Sequence, residues 1–207
     1  MINKLVQNAA DILIKNEIIS VDSKDVYVYG LDLIISGLIS TLAVVLAGSI
    51  IGEFFYAMIF NIIMVVVRIY TGGYHASTHV KCTISYIIIF IISIILLRSE
   101  FMSINQIVDI TASLLALLII IIYAPLENKN KILSESQRIK YKIISITEYV
   151  ILLGISEISE LMNKYWSEIL CRKLSDLGIY IRILLTIISV LLIIGKIKNC
   201  TMKSKKL

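Results

Sequence analysis

The chain has 207 residues, of which 58% are hydrophobic and 17% are charged, and its formal net charge is +5. A soluble domain of this length has no core large enough for so much apolar surface, so the composition excludes a soluble globular protein and indicates a polytopic membrane protein. The excess of lysine and arginine does not indicate a nucleic-acid partner, because lysines at the cytoplasmic face of a membrane protein meet anionic lipid headgroups.

The sequence of residues 1–29 predicts an amphipathic segment. A signal peptide would show one uninterrupted apolar run, whereas charged and apolar residues alternate here. The apolar residues recur at helical spacing, at Ile2, Leu5, Val6, Ala9, Ile12 and Leu13. Such a helix fits two places, which are the inner surface of the membrane and a position packed against a helical bundle.

Six apolar segments follow within residues 31–195. A bilayer core of roughly 30 Å needs about 20 helical residues to cross it. The segments are Leu31–Ile51, Phe54–Tyr70, Thr83–Leu97, Ile107–Tyr123, Ile143–Met162 and Ile179–Gly195. Several are short, and the fifth contains Glu148, Glu157 and Glu160, which are costly in lipid unless they face protein or water. By length alone, the number of spans lies between four and six.

The distribution of lysine and arginine favours six spans with both termini in the cytoplasm. In that arrangement 15 of the 20 basic residues lie in inner segments, four lie in outer ones, and Arg182 lies inside a span. This asymmetry follows the positive-inside rule. We therefore predict an all-α polytopic bundle in the cell membrane, forming a single domain with a basic cytoplasmic tail at 196–207.

The segment RIYTGGYHASTHVKC, residues 68–82, concentrates polar groups between the second and third spans, at the predicted cytoplasmic face. A thiol becomes a strong nucleophile when a neighbouring imidazole removes its proton, so His75 and Cys82 form a candidate dyad. Gly72 and Gly73 allow backbone amides to approach a substrate carbonyl. Arg68 is suited to orienting the loop or holding a carboxylate, although snorkelling towards headgroups explains it as well.

A zinc site is the competing interpretation of this segment. His75, His79 and Cys82 follow each other at i, i+4 and i+7, which is a workable ligand spacing on one helix face. The helical zinc-peptidase signature, however, places glutamate directly after its first histidine, and here that residue is Ala76. We therefore predict neither a metal nor a cofactor. A purely structural role for the lone Cys and His is the third alternative.

Three cysteines with no close pair argue against a disulfide framework. Cys82 and Cys200 are predicted to face the reducing cytoplasm, where free thiols are expected. Cys200 lies in the lysine-rich tail without a nearby histidine, and Cys171 lies in an outer loop without a local partner. Cys82 is therefore the one cysteine with a predicted chemical role.

The order Arg68, Gly73, His75 and Cys82 between two spans resembles the signature of the AgrB family, membrane peptidases of Gram-positive quorum sensing. The segment YAPLENKNK after the fourth span is similar to the Ala-Pro segment of that family and its following Asn-Lys. Length, hydropathy and the amphipathic start match over nearly all of the chain.

The resemblance implies a cysteine endopeptidase acting on an AgrD-like propeptide. Cys82 would cleave off the acidic C-terminal tail and hold the peptide as a thioester, which a cysteine or serine of the peptide then attacks to form a thiolactone or lactone. His75 would be the general base and acid, and the resemblance also implies a homodimer. Lys129 and Lys131 are candidates for steering the acidic tail, although positive-inside bias explains them equally.

A small peptide exporter without peptidase activity is the alternative function, with the glycine pair as a hinge of a re-entrant loop. A transporter would be expected to show repeat symmetry and ionisable residues at mid-membrane, whereas here the unusual groups cluster at one edge. The dyad also predicts a backbone feature. Seven residues of helix span about 10.5 Å, so Thr71–Lys81 is expected to break at the glycine pair and bring His75 back over Cys82.

Overall fold

The computed structural model describes residues 2–72, 78–99, 106–127, 133–165 and 170–204. These residues form helices and contain no strand. The helices are α1 (Ile2–Lys15), α2 (Lys24–Ile50), α3 (Phe54–Thr71), α4 (His79–Arg98), α5 (Gln106–Tyr123), α6 (Glu135–Tyr165) and α7 (Leu170–Ser204), and a short 3-10 helix (Val21–Ser23) precedes α2. The predicted all-α polytopic fold class is confirmed.

Helix α1 packs against α2 and buries one side of its amphipathic surface. Val6 and Ala10 are buried, whereas Ile12, which was predicted to share the apolar face, is largely exposed. The Lys24 ammonium at the start of α2 donates to the Asp11 carboxylate at 2.5 Å. Of the two predicted places for this helix, the contacts show it packed against the bundle.

Helix α7 is the central element of the bundle, since it contacts α3, α4, α5 and α6. Its buried residues form much of the core and face aromatic side chains from the surrounding helices. Tyr180 is fully buried, stacks edge-on against Tyr56 and lies 3.0 Å from the Ser93 hydroxyl. The helices around α7 expose many large apolar side chains on their outer surfaces, as expected for helices surrounded by lipid.

Four helical segments within the described residues are long and apolar enough to cross a membrane. They are Lys24–Ile50, Phe54–Thr71, His79–Arg98 and Asp176–Lys198, and Val108–Tyr123 is a shorter apolar segment. Each of the six predicted spans lies in a separate helix. The count of six itself stays a prediction, because α5 is short in its apolar part and α6 carries Glu148, Glu157 and Glu160 in its apolar region.

Three of the charged residues in the apolar parts of α6 and α7 meet protein rather than lipid alone. Arg182 of α7 is buried, and its guanidinium contacts three carboxylates. Nε lies 2.5 Å from Asp109 of α5, and the two terminal nitrogens lie 3.3 Å from Glu157 and 2.9 Å from Glu160 of α6. This cluster, called here the Arg182 cluster, joins three helices.

The loops at the predicted cytoplasmic end converge. The amide of Leu126, just after α5, donates to the carbonyl of Thr71 at the last turn of α3 over 2.9 Å. Tyr70 of α3 stacks edge-on against Tyr141 of α6, with 5.4 Å between ring centroids. Because these contacts bring the ends of α3, α5 and α6 together, the α3–α4 and α5–α6 connections lie at the same end of the bundle.

Candidate functional site

A cavity of about 380 Å³ opens where these loops converge. Its volume lies within the range of small-ligand sites, about 300–1,000 Å³. Its walls come from α2, α3, α4, the segment after α5 and the start of α6, and they are mostly apolar and aromatic. The polar residues that line it include Cys82, Arg68 and Glu127.

Cys82 lies in the first turn of α4, where it is partly exposed to the cavity and forms no disulfide. Thr78 caps this helix: its side chain accepts from the Lys81 amide at 3.3 Å, and its carbonyl accepts from the Cys82 amide at 3.0 Å. Threonine is a favoured residue at this position because its oxygen satisfies an amide that has no partner within the helix. The cap therefore fixes the backbone that carries the thiol.

Arg68 reaches the same cavity from the last turn of α3. Its charge interacts with the Cys82 thiol and with the phenol of Tyr86, one turn further along α4. Tyr86 is buried and its ring contacts that of Phe60 in α3. Arg68 thus lies at the cavity beside Cys82 and Tyr86, and its predicted role of holding a carboxylate stays a prediction alongside snorkelling.

The break between the second and third spans is confirmed, since α3 ends at Thr71 and α4 begins at His79. Gly72 has φ +72° and ψ −157°, a backbone region that is essentially restricted to glycine. A Cβ atom at Gly72 would lie 2.5 Å from the carbonyl oxygen of Leu126. Both the backbone angle and the close approach of the next loop require glycine here.

We expect Gly72→Ala to destabilise the protein by about 2–4 kcal/mol, because it combines backbone strain with a clash against Leu126. Gly52→Ala is the matched control, since Gly52 also has a positive φ but a Cβ atom there meets nothing within 4 Å. Thermal unfolding in detergent compares the two variants. Equal losses at both positions would show that the Leu126 contact contributes nothing.

His79 contacts Asp32, a residue that the zinc interpretation did not include. Its Nε2 lies 3.1 Å from Oδ1 of Asp32 in α2, and both side chains are about one-third exposed. One turn further along α4, and about two turns further along α2, the hydroxyls of Thr83 and Ser40 lie 3.0 Å apart. These two polar contacts hold α2 alongside the start of α4, on either side of Cys82 in the sequence.

The remaining predicted site residues, Gly73, His75, Lys129 and Lys131, lie outside the described residues. The dyad distance between His75 and Cys82 therefore stays a prediction. The predicted residues that are described, Arg68, Gly72 and Cys82, all line the one cavity.

Two walls of the cavity were missed by the sequence analysis. The first is a face of α2 built from small and hydroxyl residues, at Ser36, Gly37, Ser40 and Thr41. Their spacing of i, i+1, i+4 and i+5 within an apolar span was a usable signal for a helix face near something other than lipid. The second is Glu127, whose Oε1 accepts from Arg138 at 2.7 and 2.9 Å. Glu127 belongs to the YAPLENKNK segment quoted above, but no role was predicted for it from the sequence.

Comparison with known proteins gives one match. The sequence model of the family described as accessory gene regulator B matches residues 6–202, nearly the whole chain. No curated protein and no solved structure matches. Since this match includes the cavity and its cysteine and covers nearly the whole chain, the chain belongs to the accessory gene regulator B family, which takes part in processing the peptide pheromone of quorum sensing.

Proposed function

We propose that the protein is a membrane cysteine endopeptidase that cleaves the C-terminal tail from an agr-type propeptide and promotes closure of the peptide into a thiolactone or lactone. The observation that carries this proposal is the position of Cys82, whose thiol faces a mostly apolar cavity at a capped helix start, beside the charge of Arg68. Membership of the family supplies the substrate class.

The proposed reaction has two transfers. His75 accepts the thiol proton, and the Cys82 sulfur attacks the carbonyl carbon of the peptide bond that precedes the tail. When the tetrahedral intermediate collapses, the C–N bond breaks, His75 returns the proton to the leaving amine, and a thioester remains on Cys82. A cysteine or serine of the peptide then attacks this thioester, which closes the ring and releases the Cys82 thiol.

Arg68 has a role in this scheme because negative charge develops on the carbonyl oxygen during both attacks. A guanidinium held in an apolar cavity stabilises such charge more strongly than one in water. The same apolar walls restrict water, which would otherwise hydrolyse the thioester before the ring closes. The cavity thus favours cyclisation over hydrolysis. Homodimer formation stays a prediction.

The thioester is the intermediate that tests this function. We expect a propeptide whose ring-forming cysteine or serine is replaced by alanine to accumulate as a thioester on Cys82 of the protein in lipid vesicles. Mass spectrometry should find the added peptide mass on the fragment containing Cys82, and hydroxylamine should remove it. The matched control is Cys82→Ser, which would form a hydroxylamine-resistant ester if it reacts at all.

Absence of any peptide adduct while the tail is still released would contradict the acyl-enzyme. The zinc alternative is tested in the same vesicles. A chelator such as 1,10-phenanthroline should leave tail release unchanged, whereas iodoacetamide should stop it. The reverse pattern would favour a metal site, and no tail release under any condition would favour the exporter.

A further inference from the structure

Gly37 of α2 lies in the wall of the cavity that holds Cys82, and nothing in the packing of the helix calls for glycine there. A Cβ atom at Gly37 would meet nothing within 4 Å, and the residue does not have a positive φ. Glycine inside a helix costs about 0.5–1 kcal/mol relative to alanine. The missing side chain therefore leaves room in the cavity rather than allowing a close helix contact.

Two contacts between α2 and α4 place Gly37 near the level of Cys82. Asp32 meets His79 at 3.1 Å, and Ser40 meets Thr83 at 3.0 Å. Gly37 lies between Asp32 and Ser40 along α2, as Cys82 lies between His79 and Thr83 along α4. Because both residues also line the same cavity, α2 forms a wall beside the thiol rather than at a distant part of the bundle.

We propose that Gly37 sets the size of the substrate residue that carries the scissile carbonyl, by leaving space beside Cys82 for a bulky side chain. This inference rests on the proposed function, because it assigns the cavity to the peptide that Cys82 cleaves. The apolar and aromatic side chains on the other walls of the cavity, among them Met64, Leu126 and Tyr86, suit an apolar substrate side chain.

The test compares propeptides in which the residue before the cleaved bond is alanine or phenylalanine. Wild-type protein in vesicles is expected to cleave both. In Gly37→Leu, the rate for the phenylalanine propeptide should fall about 10-fold or more relative to the rate for the alanine one. The ratio of the two rates in Gly37→Ala should lie between the ratios of wild type and Gly37→Leu. Gly30→Leu is the matched control and should keep the wild-type ratio, since Gly30 is on the same helix in equally open space but away from the cavity.

A second measurement reads the space beside the thiol without any peptide. In a Cys171→Ala/Cys200→Ala background, Cys82 is the remaining thiol and reacts with methyl or benzyl methanethiosulfonate to give a mixed disulfide and a sulfinate. Gly37→Leu should slow the benzyl reagent about 10-fold or more relative to the methyl one. An unchanged methyl rate shows that the variant is folded.

The outcomes separate the two proposals. If wild-type protein cleaves neither propeptide, the proposed function fails. If wild-type cleavage is normal and Gly37→Leu keeps the wild-type ratios in both measurements, the role of Gly37 is overturned while the proposed function stands.

Discussion

Cys82→Ala is expected to lower the rate of tail release from a co-expressed propeptide by at least 10³-fold, on the order found when a nucleophile is removed from a catalytic unit. His75→Ala should cause a loss of similar size, because a thiol without its base is mostly protonated at neutral pH. The double variant should be no worse than either single one, since the two groups act as one unit. The measurement is the ratio of cleaved to intact propeptide, after correction for the amount of membrane protein.

The matched controls for this prediction are the other two cysteines. Cys171→Ala and Cys200→Ala should cleave at the wild-type rate, since neither is assigned a role. Tail release by Cys82→Ala at the wild-type rate would contradict the mechanism outright. Normal cleavage by His75→Ala would instead show that another group accepts the thiol proton. The next candidate for that base is His79, which lies three residues before Cys82 and contacts Asp32.

The largest effect on stability is expected at Arg182. Its side chain and that of Asp109 are only 4% and 5% exposed, so Arg182→Leu leaves a buried carboxylate without its cation. Breaking a buried ion pair on one side costs about 3–5 kcal/mol, because the remaining charge has lost both water and its partner. The free energy of unfolding, measured by titration with a denaturing detergent, should fall by this amount.

Two further variants test the cause of that loss. Arg182→Leu combined with Asp109→Leu should recover much of the stability, because the most deeply buried carboxylate of the cluster is removed as well and apolar side chains of similar size fill the space. Arg98→Leu is the matched arginine control: its side chain is 64% exposed and pairs with Glu53. It should cost no more than about 1 kcal/mol. A full-sized loss that persists in the double variant would show that packing, not charge, explains the effect.

The sequence by itself determined the class of the protein and the positions of its helices. Long apolar segments have few alternatives to membrane helices, because every backbone amide in lipid must be bonded within its own segment. The same logic located the helix break, since the Gly72–Gly73 pair and the polar residues after it do not fit inside an apolar helix. The positions of Cys82 and Arg68 at one edge also followed from the sequence, because both flank that break.

The tertiary structure alone decided which helix faces meet. Helix α4 is apolar on all sides, so no pattern in its sequence distinguishes the face towards lipid from the face towards α7, and the same holds for most of α2. Nothing in the sequence therefore indicated that α7 lies at the centre, or that the small-residue face of α2 lies beside Cys82. Glu157 and Glu160 were predicted to be costly in lipid and Arg182 was placed inside a span, but the sequence did not pair them. Their pairing depends on the rotation of α6 against α7, which packing between helices sets and periodicity along one helix does not.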